Sequence, residues 1–316
     1  MKTHMATGHS HGKIILMGEH AVVYGEPSIA LPFPAADMTA TVKGTTGGLL
    51  IDCSYYHGIA ADMPEVLHSL KKAIETALTS LGRPNQNLQI KIESTIPPER
   101  GMGSSAAVAV AVTRAIYNYF GEELTKERLL ELVDISERVA HGNPSGLDAI
   151  TTSSDSPVFY QKGEPFIPFE LKLDAYLIVG DTGVTGQTKD AVQSIADGIE
   201  NGDRKKILQE IRELGTLTEQ AKSNLEHNKP LDLGEAMNQA HALLTNLGVS
   251  STELNTLVEA ARSAGALGAK LTGGGRGGCM IALTETYEDA EMVSKALKDA
   301  GAVHTWVANL RQGAEK

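Results

Sequence analysis

At 316 residues, with 41% hydrophobic and 21% charged positions, the chain has the composition of a folded protein with room for two domains, which excludes a disulfide-stapled miniature and a disordered polymer. Twenty-eight Lys and Arg against 39 Asp and Glu give a formal charge of −11 with no basic run, so nucleic acid is not an expected partner. Cys53 and Cys279 stand outside any C-x-x-C pair and no stretch reads as a signal or membrane span, so the expectation is a cytoplasmic protein without disulfide, thiolate zinc or membrane contact.

The opening residues, with His4, His9 and His11, read as a solvated polar terminus without a role. Lys13-Ile-Ile-Leu-Met17, Met38-Thr-Ala-Thr-Val42 and Leu49-Leu-Ile-Asp-Cys53 read as early strands. Over residues 64–81 the apolar positions Val66, Leu67, Leu70, Ile74, Leu78 and Leu81 recur at helical spacing, predicting an amphipathic helix. Leu88, Ile90 and Ile92 alternate with polar residues as in a half-buried strand that ends before Pro97-Pro98. Helices are expected from the Gly-rich turn at 101–103 towards Tyr117 and over 125–141. Beyond Asp174 the pattern predicts a strand at 175–179, then helices to about Arg262, the longest spanning 203–227. The chain closes with strands at 269–272, 279–283 and 303–307 and a helix at 289–299, returning to one sheet. A soft boundary near residue 170 divides the chain into 1–170 and 171–316, and the absence of a linker predicts closely packed halves with a cleft between them.

Arg100-Gly-Met-Gly-Ser-Ser-Ala-Ala107 is the most informative stretch. Glycines admit a ligand close to the backbone, and a helix start offers unpaired N–H groups and a positive dipole end suited to phosphate. The same segment also reads as an ordinary turn with Ser104 or Ser105 as a helix cap. No G-x-x-x-x-G-K-[ST] is present, and the relaxed G-x-G-x-x-A match at 101–106 is followed by a helix where dinucleotide binding needs a strand.

Glu137 and Asp148 flank a turn built from Gly142, Asn143, Pro144 and Gly146. A helix that stops, turns and restarts can bring both carboxylates to one place, one for Mg²⁺ and one to orient or deprotonate a hydroxyl; a solvated helix face and a helix cap are the plain alternatives. Lys13 opens an otherwise apolar strand, and beside Asp148 it would stabilise a developing alkoxide; alternatively it reaches to solvent. Glu19 and His20 can hydrogen-bond a small polar substrate. Five glycines in the six residues 273–278 suit a loop closing over phosphates, with Thr272 offering a hydroxyl, and the loop at 181–188 is a weaker candidate for the same place.

Three segments in this order, Gly12-Lys13 through Gly25, Pro97-Pro-Glu-Arg-Gly-Met-Gly-Ser-Ser-Ala-Ala107 and Lys270-Leu-Thr-Gly-Gly-Gly-Arg-Gly-Gly-Cys279, resemble the motifs of the GHMP kinases. The first of them, with His141-Gly-Asn-Pro-Ser-Gly-Leu-Asp148, is similar to the mevalonate-phosphorylating branch. The resemblance implies a two-domain α+β fold, a ribosomal-protein-like amino-terminal domain followed by a ferredoxin-like one. It implies transfer of the ATP γ-phosphoryl group to the 5-hydroxyl of (R)-mevalonate in isoprenoid biosynthesis, with Mg²⁺ as cofactor and room for a homodimer. By position, Asp148 and Lys13 are the implied catalytic pair, and Ser105 and Glu137 the magnesium ligands. Pro98, Glu99, Arg100, Gly101, Met102, Gly103, Ser104, Ser105, Ala106 and Gly274 would bind ATP, and Glu19, His20 and Thr272 the alcohol. Met102 replaces the usual leucine at similar volume. Arg276 interrupts the glycine loop, where it either meets phosphate or points into water.

Overall fold

The computed structural model describes residues 4–142 and 144–311. The chain forms two compact units built from interleaved segments. The first takes the segment ending at Lys13 together with Pro32–Pro98 and Gly103–Ser154; the second takes Ile14–Leu31, Glu99–Met102 and the chain from Asp155 onward.

The first unit is a sheet with helices. Strand β1 (Met5–Met17) pairs with β2 (Ser28–Gly48), followed by β3 (Leu50–Cys53), β4 (Tyr56–Ile59), α1 (His68–Ser80) and β5 (Gln86–Ser94). The strand order is β4-β3-β5-β2, with β3 parallel to β5 and the other two pairs antiparallel. Leu88, Ile90 and Ile92 on β5 are buried, as their alternation requires. Helices α2 (Ser104–Phe120), α3 (Lys126–His141) and α4 (Leu147–Thr152) complete the unit. Ala73 of α1, Ala109 and Val110 of α2, Leu129 and Val133 of α3 and Ala149 of α4 share one apolar cluster. Each of its larger side chains contributes about 1.5–3 kcal/mol by leaving water. The alanines bring the helix backbones close enough for α4 to rest on α2 and α3. Thr125 caps α3, its hydroxyl accepting from Arg128 N, and Gly142 ends that helix at a positive φ.

Two expectations are corrected here. The polar opening is not a solvated terminus: β1 begins at Met5, Ser10 is buried and donates to the Thr152 carbonyl at 2.9 Å, and His9 Nδ1 lies 3.0 Å from Thr39 Oγ1. The composition is hydrophilic, but Gly8 has no side chain and its backbone lies against α2, where a Cβ would come 2.2 Å from the Ala111 carbonyl oxygen. The helix expected from residue 64 begins at His68, after a 3₁₀ turn over Glu65–Leu67, which leaves Val66 80% exposed instead of in the core.

In the second unit the start of β2 carries β6 (Val158–Tyr160), and β7 (Ile167–Pro168) pairs with β6. Then follow β8 (Tyr176–Asp181), α5 (Thr188–Asn201), α6 (Arg204–Glu226), α7 (Pro230–Asn246), α8 (Thr252–Ser263), β9 (Gly268–Leu271), β10 (Cys279–Thr284), α9 (Tyr287–Asp299) and β11 (His304–Asn309). The last strands form the expected single sheet, antiparallel in the order β11-β8-β10-β9. Cys279 lies opposite Asp181, and Met280 opposite both Gly180 and Leu271. The loop after β8 and the loop joining β9 to β10 therefore leave the same end of the sheet, side by side.

Candidate active site

In the first unit the candidate residues gather at the amino-terminal end of α2. Gly103 precedes the helix with φ +73°, and no side chain caps it, so Ser104 and Ser105 are its first residues and neither serves as the cap. Any side chain at 103 would collide with its surroundings: a Cβ would stand 2.9 Å from Lys13 Cγ and 3.2 Å from Thr152 Cγ2. Lys13 is thus wedged beside the helix start. Its Nζ lies 3.0 Å from Asp148 Oδ1; the lysine side chain is 7% exposed and the carboxylate 37%, so the acid stays open to a ligand on one side. Asp148 sits in the first turn of α4, directly beyond the turn that ends α3. Asn143 of that turn lies outside the described residues.

From α3, the buried Glu137 reaches the same helix start, where Ser105 Oγ donates to its Oε1 at 2.6 Å. Burial pushes the Glu137 carboxyl above its ordinary range, and the Asp148 charge adds to this; the Ser105 hydrogen bond and the charges of His141 and Lys13 oppose it. His141 Nε2 lies 3.8 Å from Glu137 Oε2. A hydroxyl and a carboxylate oxygen converging next to helix N–H groups form a hard-oxygen donor set. By its chemistry that set fits a hard divalent ion, although on its own it is short of a full coordination shell.

The second unit gathers a separate set. After β1 the chain turns at Gly18, and His20 takes φ 60° at the start of a 3₁₀ turn over Ala21–Tyr24. His20 Nε2 lies 3.0 Å from the Gly274 carbonyl oxygen, which can only accept, so Nε2 carries the proton and Nδ1 the lone pair. That Nδ1 is buried and has no hydrogen-bond partner among the described residues. Burial, with help from the Arg276 and Lys270 charges, lowers the His20 pKa to about 4 against the bond to Gly274, so the ring is neutral near pH 7. Glu19 is buried in an ion pair with Lys270. Thr272 Oγ1 donates to the Ile15 carbonyl at 2.7 Å, so its proton is committed and its lone pairs remain.

The glycine loop is built for backbone packing. A Cβ on Gly274 would come 1.9 Å from Thr188 Oγ1, one on Gly275 2.1 Å from the Val249 carbonyl oxygen, and one on Gly277 2.7 Å from that of Thr185. Main-chain bonds tie the loop down: Gln187 N to Gly275 O, Gly278 N to Val184 O and Thr182 N to Gly278 O. Gly186 N donates to Glu99 O, joining the 181–188 loop to the 99–102 segment. Arg100 reinforces this junction, donating to Asp181 Oδ1 at 3.0 Å, Thr185 Oγ1 at 3.1 Å and the Gly183 carbonyl at 2.9 Å. Arg276 is tied into the fold by two of its nitrogens. Its Nη2 donates to Ser194 Oγ at 2.7 Å and its Nε to Gly248 O at 3.2 Å, pinning the loop to α5 and to the α7–α8 connection.

Lys13, Gly103, Ser104, Ser105, Ala106, Glu137 and Asp148 therefore belong to one unit, and Glu19, His20, Glu99, Arg100, Gly101, Met102, Thr272 and Gly274 to the other. Pro98 closes its segment of the first unit. Sequence reasoning gave no role to Lys270, Asp181 or His241. Lys270 and Asp181 stood inside motifs already singled out, and a charge within an apolar strand was the available signal; His241, whose Nδ1 accepts from Leu271 N at 3.3 Å, gave none.

The sequence matches the family model described as GHMP kinases N terminal domain over residues 68–155 and that described as GHMP kinases C terminal over residues 221–303. It is 36% identical to a mevalonate kinase of Pyrococcus horikoshii, the similarity covering 95% of this chain and 94% of that one. Among solved structures, mevalonate kinase from methicillin-resistant Staphylococcus aureus is 36% identical with a TM-score of 0.77, covering 97% of this chain and 99% of that one. The L. major mevalonate kinase in complex with R-mevalonate is 25% identical with a TM-score of 0.84, covering 100% and 97%. No helix among the described residues is long and apolar enough to cross a membrane.

Proposed function

The chain belongs to the GHMP kinase family, and from that premise we propose that it transfers the γ-phosphoryl group of ATP to the 5-hydroxyl of (R)-mevalonate, giving 5-phosphomevalonate for isoprenoid biosynthesis. The observation that carries the reading is the Lys13–Asp148 pair at 3.0 Å beside the start of α2. Phosphoryl transfer asks a protein chiefly for positioning and charge neutralisation. Asp148 orients the attacking hydroxyl and accepts its proton, and the Lys13 ammonium stabilises the negative charge that develops on that oxygen. The backbone N–H groups opening α2, with Ser104 and the segment 98–106, hold the phosphates at the positive end of the helix dipole.

Ser105 and Glu137 would hold the magnesium ion, one carboxylate and one hydroxyl being typical of a site that phosphate oxygens complete. Bound there, the ion neutralises phosphate charge. Glu19, His20 and Thr272 take the alcohol, with the proton-free His20 Nδ1 as an acceptor for one of its hydroxyls. Gly274 fixes that imidazole through its carbonyl and contributes to the phosphate loop. The deciding experiment is ADP release measured with and without mevalonate and with and without Mg²⁺; release that ignores mevalonate overturns the reading.

A further inference from the structure

Lys270 has no part in the reaction outlined above, yet its side chain is fully buried. Its Nζ donates to Glu19 Oε1 and, at 2.7 Å, to the Leu271 carbonyl. Glu19 is as deeply enclosed, with 1% of its side chain exposed. Burial lowers the pKa of the Lys270 ammonium and the Glu19 carboxylate opposes that, so the lysine's charge rests on the carboxylate beside it. A buried ion pair contributes little net stability beside apolar side chains of the same volume, so stability does not account for the lysine.

Its position does. Leu271 is the last residue of β9, directly before Thr272, and Glu19 directly precedes His20, whose buried Nδ1 has no partner among the described residues. One ammonium thus holds both chain segments that carry the alcohol-facing groups. Resting on the alcohol assignment made above, we infer that Lys270 is a positioning residue for alcohol binding: it fixes the Glu19 carboxylate and, through the Glu19–His20 peptide, aims His20 Nδ1 at the hydroxyl of the bound alcohol. The ammonium also stands near enough to His20 to disfavour a second proton on the ring, which preserves the acceptor.

The test uses the full chain and two variants. Lys270→Met removes the ammonium and leaves a buried carboxylate unpaired, so melting temperature falls and the KM for mevalonate rises tenfold or more while the KM for ATP stays within twofold. The double variant Lys270→Met with Glu19→Gln removes both charges and keeps the volume. It recovers the melting temperature, and because Glu19 is itself assigned to the alcohol, the readout that reports positioning is the His20 Nδ1 resonance, which mevalonate perturbs in the unmodified protein and no longer perturbs in this variant. If the double variant recovers both melting temperature and mevalonate KM, the pair is structural only and the inference is overturned. Equal increases in both KM values overturn it as well. Failure of the underlying reading is distinct: the unmodified protein would then show neither mevalonate-dependent ADP release nor a mevalonate-dependent shift at His20.

Discussion

Lys13 on β1 and Asp148 on α4 meet at 3.0 Å, each delivered by a different feature of the fold: the lysine by its place beside Gly103, the acid by the restart of a helix after a turn. Exchanging Asp148 for Asn keeps the shape and removes the proposed proton acceptor. Asp148→Asn is expected to bind ATP as the unmodified protein does and to lose about 10²–10⁴-fold in kcat. Nucleotide titration beside steady-state kinetics checks it, and unmodified turnover would remove Asp148 from its role.

Ser105→Ala deletes the hydroxyl that donates to the buried Glu137 carboxylate at 2.6 Å. Loss of a hydrogen bond to a buried acceptor costs about 1–3 kcal/mol, and one oxygen of the proposed ion site goes with it. The Mg²⁺ concentration giving half-maximal activity is expected to rise on the order of tenfold, as metal sites respond when their hydrogen-bonded surroundings are altered. A magnesium titration of activity identical to the unmodified protein's would contradict the assignment.

Gly103→Ala places a side chain at φ +73° and 2.9 Å from Lys13 Cγ. The backbone term alone costs about 1–2 kcal/mol, and the collision displaces the lysine. Melting temperature and kcat should fall together, kcat by on the order of tenfold or more, because small misplacements of reacting groups are costly. A drop in melting temperature with unchanged kcat would separate Gly103 from the proposed Lys13–Asp148 pair.

Arg100 is the chief charge partner of Asp181, a carboxylate only 5% exposed. Arg100→Met is expected to destabilise by about 3–5 kcal/mol, since it leaves a buried charge uncompensated. Adding Asp181→Asn should recover most of that loss in denaturant unfolding. Additive losses in the double variant would mean that the two residues do not act as a pair.

His20 and His241 are both held to a pKa of about 4, chiefly by burial, against an ordinary value of 6.5. Below pH 6.5 the unfolded chain takes up protons at these rings that the folded chain refuses. Stability is therefore retained above pH 6.5 and lost as pH falls from 6.5 towards 4, with a ceiling of about 3 kcal/mol per ring. Thermal melts across that window should show a shallower slope for His20→Gln and for His241→Gln, and slopes matching the unmodified protein would refute the contribution.

Much of this was legible in the sequence because local signals agreed with one another. The alternation of Leu88, Ile90 and Ile92 gave a strand, the small residues after Gly103 a buried helix, and the returning strands at the end of the chain one sheet. What could not be read depended on distant partners. The polar letters of 4–12 hide a strand because Gly8 and Ser10 find their contacts on α2 and at the Thr152 carbonyl, far along the chain. The glycines of 273–278 signalled a ligand loop by their number, while the backbone contacts with 184–188 and Val249 that require them carry no signature in composition. Arg276 was ambiguous for the same reason, its anchors being Gly248 and Ser194.

The interleaving of segments has a practical corollary for anyone wishing to dissect or recombine this protein. Glu19 and His20 precede most of the first unit in the chain but belong to the second, and residues 99–102 are borrowed in the same way. No single proteolytic nick or gene fission releases either unit as an unbroken polypeptide. A chimera exchanging the second unit must therefore transplant three separated stretches of chain.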